Sequence, residues 1–177
     1  MDGPVVGSNE WLVWAGGGVP IKFFRQDPEA HIWTVGGTYG RVLTDAHGPG
    51  LLRGRLEWGC ELVPLIQVSL PHYPVYGAGF TPFLWKWNFV NRRRVTPYFE
   101  ISGGAVISDR PIVPGSNRFN FTPSGAVGVT LPWGSTKYSW TADVRWYHIS
   151  NAGITSYNPG LNTIMVRIGF GFFSHPK

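Results

Sequence analysis

His148 and Ser150 lie two residues apart in the run Tyr147-His148-Ile149-Ser150-Asn151-Ala152-Gly153-Ile154, and Asn158-Pro159-Gly160-Leu161-Asn162 follows closely. On an extended strand this spacing puts both side chains on one face, roughly 6.6 Å apart along the backbone. An imidazole beside a hydroxyl can act as base and nucleophile in acyl transfer to water. His148 would take the proton from Ser150, whose oxygen would attack an ester carbonyl. Donors around Asn151 and the Gly153 backbone amide would stabilise the oxyanion, and Asn162 would orient the imidazole by accepting its other N–H. The plainer alternative is an interfacial aromatic-belt His148 followed by an ordinary turn from Ser150 to Gly153.

The composition limits what can carry this pair. With 177 residues the chain suits one domain with a substantial core, and the expected organisation is a single β-barrel domain over 1–177. Charged residues make up only 14% while aromatics reach 15%, an imbalance expected where much of the surface meets something other than water. Mean hydropathy is -0.05, and no apolar run approaches the roughly 18 residues of a membrane helix. If the chain sits in a membrane, it does so as a barrel. The 24 Gly and 15 Pro are spread without a period, as in many short strands joined by turns. The formal net charge of +5 suits an anionic partner. Met1-Asp2-Gly3-Pro4 lacks the basic and apolar regions of a signal peptide, as in a mature chain behind an added Met or one with a misplaced start.

Alternation of period two predicts about eight strands. They run over Asn9 to Gly18, Ile32 to Val42, Leu51 to Pro64, Gly77 to Phe89, Val95 to Ile107, Phe119 to Leu131, Tyr138 to Ser150 and Asn162 to Phe173. The third sets Leu52, Leu56, Trp58, Cys60 and Leu62 against Arg53, Arg55, Glu57 and Glu61. The seventh sets Trp140, Ala142, Val144 and Trp146 against Ser139, Thr141, Asp143 and Arg145. A soluble sandwich or lipocalin alternates in the same way. The polar face, however, holds charges of both signs that could pair inside a barrel (Lys86, Glu100 and Arg167 among them), while large Trp and Phe residues gather near strand ends on the other face. The expected fold is therefore an all-β, eight-stranded antiparallel transmembrane barrel of the outer-membrane type.

With both termini in the periplasm, the segments Val19 to His31, Ile66 to Val75, Ser108 to Arg118 and Asn151 to Leu161 should be the outer loops. Leu43 to Gly50, Val90 to Arg94 and Pro132 to Lys137 should be the periplasmic turns, and the outer set should be longer. His148 and Ser150 then share the outward register of Trp140 and Trp146, and Asn162 shares that of Ile164 and Val166, so the trio meets on a lipid-facing patch at the outer rim.

The run His148-x-Ser150-Asn151-Ala152-Gly153, the short loop with Asn158-Pro159-Gly160 and the final strand resemble the C-terminal signature of the outer-membrane lipid A 3-O-deacylase (PagL) family, whose broadly annotated members are also called acyloxyacyl hydrolases. Close similarity covers about the last thirty residues, with barrel pattern and length agreeing over the whole chain. The resemblance implies an eight-stranded barrel in the bacterial outer membrane that removes an ester-linked acyl chain from lipid A. It implies His148 as base, Ser150 as nucleophile, and Asn151 and Gly153 in the oxyanion region. Asn162 stands where the best-known members carry Glu. An amide can orient an imidazole, but it cannot offset the imidazolium charge. Asp143 and Glu100 are poor replacements, since their parity puts them inside the barrel. A non-catalytic outer-membrane barrel with a structural or lipid-binding role is the alternative function.

No cofactor is expected, and neither Cys60 nor the scattered His31, His47, His72 and His175 shows metal-ligand spacing. Lys22, Arg25, Arg110 and Arg118 lie in or beside outer loops, where lipid A phosphates or water would meet them, and Arg92-Arg93-Arg94 reads as a solvated periplasmic turn. The basic residues form no stripe interleaved with aromatics, which disfavours nucleic acid. The expected partners are lipid A or lipopolysaccharide and the membrane itself, with a homodimer left open.

Overall fold

The computed structural model describes residues 4–21, 30–90, 94–112, 117–134, 137–154, 158 and 160–174. The strands are β1 (Asn9–Pro20), β2 (His31–Val42), β3 (Gly54–Ser69), β4 (Pro74–Phe89), β5 (Thr96–Ser108), β6 (Phe119–Phe121), β7 (Ser124–Pro132), β8 (Tyr138–Ile149) and β9 (Leu161–Ser174). All pairings are antiparallel, in the order β4-β3-β2-β1-β9-β8-β7-β5-β6, and β4 pairs with β5 to close the sheet. Closure leaves no long unpaired edge, as crossing a bilayer with strands requires.

Nine segments make eight staves. The expected sixth strand is divided at Thr122-Pro123, yet its register does not slip. β5 meets the two pieces as Ala105↔Phe121 and Ser102↔Ser124, and on the other side β8 is met as Ser124↔Tyr147 and Phe121↔Ser150. Pro123 has no N–H to donate, but its carbonyl still accepts from the His148 N–H at 3.1 Å. The break is a missing donor in a continuous ladder.

The alternation sorts lipid from lumen. On β1, Val13 is 66% exposed on the outer wall while Trp14, one residue on, is 7% exposed inside. Trp14 is thus an aromatic that fills the lumen; its indole N–H donates to Thr38 Oγ1 at 2.9 Å, and its ring lies under the Arg167 guanidinium. Of the charged residues expected inside, Glu57, Glu61, Lys86, Glu100, Asp143, Arg145 and Arg167 are buried there and paired, whereas Arg55 is half-buried and Arg53, just before β3, is exposed. Lys86 Nζ lies 2.7 Å from Glu10 Oε2, and Asn88 donates to Glu57 Oε2 at 2.7 Å. Arg167 spans Glu61 at 2.5 Å, Asp143 at 2.9 Å and Glu100 at 3.5 Å, while Arg145 binds Glu100 and Asp143. Above this layer, toward the end of the barrel that carries His148, the lumen turns apolar with Ile32, Ile66, Val68, Val106, Ile149, Leu161 and Met165.

Two connections depart from the expected lengths. β3 runs on to Ser69 and β4 starts at Pro74, so the segment expected as an outer loop over Ile66 to Val75 is mostly ladder, Ile66↔Gly77 to Ser69↔Pro74. On the opposite end, residues 43–53 fold back on themselves. His47 bridges Gly54, and a 3-10 turn at Gly50–Leu52 leaves Leu51 and Leu52 exposed where the strand was expected to have begun. Lys22, Arg25, Arg92, Arg93, Pro159 and His175 lie outside the described residues.

Candidate active site on the outer wall

The site is built where β8 and β9 end. Ile149 and Leu161 are cross-strand partners and both point into the apolar top of the lumen, fully buried. Their anchorage turns the neighbouring pair, His148↔Asn162, onto the outer wall. Residues directly opposite in such a ladder bring their Cβ atoms within roughly 5 Å, and here His148 Nδ1 lies 2.9 Å from Asn162 Oδ1.

Ser150 continues the same parity one step past the end of β8. It exchanges both backbone hydrogen bonds with Phe121, at 2.7 and 3.1 Å, which fixes the strand direction at this residue without using its hydroxyl. The half-buried Ser150 is therefore held beside Phe121, whose ring packs edge-on against Phe119 at 5.3 Å on the lipid side. Imidazole, amide and hydroxyl thus share one face of the barrel, bordered by aromatic side chains.

The turn after Ser150 is tightly specified. Asn151 is buried; its N–H donates to Asn158 Oδ1 at 3.0 Å, and its Oδ1 accepts from the Gly153 N–H at 2.9 Å. Ile154 N–H donates to the Asn151 carbonyl at 3.0 Å, and the two residues between have φ of 52° (Ala152) and 83° (Gly153). Two successive positive φ values under such a bond are the pattern of a type I′ turn. Ala152 has the only positive φ outside glycine among the described residues, a conformation that disfavours a Cβ.

Three residues of the site were not singled out as functional from the sequence. Trp146 donates its indole N–H to Asn162 Oδ1 at 3.2 Å and stacks on the imidazole, with ring centroids 5.7 Å apart at 18°. Its parity marked it only as an outward aromatic. Gly160, at φ 69°, is buried against the imidazole. Asn158 anchors the backbone after Ser150. Turn residues such as Asn and Gly signal a loop, but not which atoms they hold.

The other expected sites are placed differently. Glu100 and Asp143 are in the lumen, on the opposite side of the wall from His148. Arg110 and Arg118 are exposed, Arg110 lying over the Tyr73 ring at 5.5 Å. The Gly153 N–H, expected as an oxyanion donor, is engaged by Asn151 Oδ1.

A family model described as lipid A 3-O-deacylase (PagL) matches residues 20–171. No curated protein sequence matches the chain. Among solved structures, the outer membrane enzyme PagL is similar with a TM-score of 0.69 at 15% identity, over 89% of this chain and 97% of that one. The outer membrane protein OprG from Pseudomonas aeruginosa is similar with a TM-score of 0.57 at 14% identity, over 98% of this chain and 99% of that one. At such identities the two structures speak to the barrel fold.

Proposed function

The chain belongs to the lipid A 3-O-deacylase (PagL) family, and from that premise we propose that it is an outer-membrane esterase that hydrolyses an ester-linked acyl chain of lipid A through Ser150 and His148. The observation that carries this reading is the 2.9 Å bond between His148 Nδ1 and Asn162 Oδ1 on the same outer face as Ser150. An acceptor at Nδ1 makes that nitrogen the donor and leaves the Nε2 lone pair for the hydroxyl proton.

In the first half-reaction the Ser150 proton passes to His148 Nε2 as Oγ bonds to the ester carbon. Collapse of the tetrahedral intermediate breaks the bond to the sugar oxygen, which takes the proton from His148. Water, activated by the same nitrogen, then releases the fatty acid and restores Ser150. Gly153 would exchange its bond to Asn151 Oδ1 for the developing oxyanion, a substitution between two oxygen acceptors. The lipid-facing position suits an ester whose acyl chain lies in the outer leaflet.

Mass spectrometry of lipid A after incubation with the detergent-refolded protein and its Ser150→Ala variant tests this. Loss of one acyl chain with the parent alone is expected. Intact lipid A with both folded proteins overturns the reading and favours the second one, a barrel without catalysis, for which the uncharged Asn162 speaks.

A further inference from the structure

Asn162 accepts from two groups through one oxygen, and the second donor resolves an ambiguity that a carboxylate would not have. A carboxamide can rotate to present either oxygen or nitrogen to an imidazole. Oxygen selects the tautomer protonated at Nδ1. Nitrogen would donate to Nδ1, selecting the opposite tautomer and removing the Nε2 lone pair. The Trp146 indole is a donor only, and it reaches the same atom as His148 Nδ1, at 3.2 Å against 2.9 Å. That atom must be oxygen. The indole also lies face to face with the imidazole, within the separation at which an aromatic face attracts a cation.

Resting on the esterase reading of this site, we propose that Trp146 is a positioning residue that allows a neutral amide to serve as the orienting group. Its N–H locks the Asn162 carboxamide so that His148 keeps Nε2 free, and its π face stabilises the imidazolium formed during acyl transfer. One side chain thus supplies two effects of a carboxylate, a single acceptor polarity and favourable electrostatics toward the cation. A lipid-facing Trp with only an anchoring role needs neither the shared acceptor nor the stacked geometry.

The test combines Trp146→Phe, which keeps an aromatic face and loses the N–H, with Trp146→Leu, which loses both, each in the parent and in the Asn162→Glu background. Nitrogen chemical shifts of histidine-labelled protein in detergent report the His148 tautomer whether or not the protein turns over. The parent is expected to show the Nδ1-protonated form, Trp146→Phe a shift toward the Nε2-protonated form, and Trp146→Phe with Asn162→Glu the parent form again, because a carboxylate has no donor end. In lipid A deacylation, kcat is expected to fall at least about fivefold in Trp146→Phe and roughly threefold further in Trp146→Leu, with KM within about twofold. The Trp146→Phe loss is expected to shrink below about twofold when residue 162 is Glu. An unchanged tautomer in Trp146→Phe, or equal losses in both backgrounds, overturns the proposal. A parent that turns over no lipid A but shows the tautomer shift supports the lock while rejecting the esterase.

Discussion

Gly160 closes against the edge of His148: a Cβ on residue 160 would stand 2.8 Å from His148 Cε1 and 3.5 Å from Nε2. The backbone φ of 69° independently favours glycine. Gly160→Ala is therefore expected to push the ring off Asn162 and to lower lipid A deacylation by about tenfold or more, with about 1–2 kcal/mol of strain at most. A time course of deacylation beside a thermal unfolding scan separates the two effects. A variant as active as the parent would show that the ring tolerates displacement.

Asn162→Glu keeps an acceptor opposite His148 and adds the negative charge that favours the imidazolium of the transition state. The expected outcome is a kcat higher by about tenfold, or about 1.4 kcal/mol off the barrier. Single-turnover rates on lipid A read it directly. No gain, from a parent that is itself active, would mean the neutral site has already recovered what the carboxylate offers.

Arg167 holds three carboxylates in the lumen, so its removal strands charge that water does not reach. Arg167→Ala is expected to cost about 3–5 kcal/mol, seen as a lower urea midpoint for the refolded barrel. Replacing the whole cluster with apolar side chains would be far milder than this single truncation, which distinguishes stranded charge from lost packing.

Val127 lies on the outer wall, 61% exposed, opposite Val144 on β8 and Phe99 on β5. Val127→Arg is expected to destabilise the barrel by about 2–4 kcal/mol in lipid bilayers. Equal stability of parent and variant in vesicles would contradict a lipid-facing position.

How far the sequence revealed all this follows from what each residue answers to. Strands were readable because every second residue meets a different medium: Val13 and Trp14 differ in fate although both are apolar, because they are one residue apart on β1. The division at Pro123 was hidden because a missing donor leaves the register intact. The folded segment 43–53 was hidden because its bridge between His47 and Gly54 depends on local chain geometry. At the site, the outward placement of His148, Ser150 and Asn162 was legible from parity and hairpin pairing. Trp146 and Gly160 as neighbours of the imidazole were not. Their places beside His148 depend on a diagonal contact across the ladder and on a backbone dihedral, neither of which spacing along one strand reports.

For the proposed esterase, the outward parity of His148, Ser150 and Asn162 also sets how substrate would be supplied. Its substrate would not arrive from solution through the packed lumen; it would diffuse laterally within the leaflet and meet the wall from the side. The concentration governing the rate is then a mole fraction in the membrane plane. Inert lipid or surplus detergent slows such a reaction by surface dilution even when the amount of substrate per volume of buffer is unchanged.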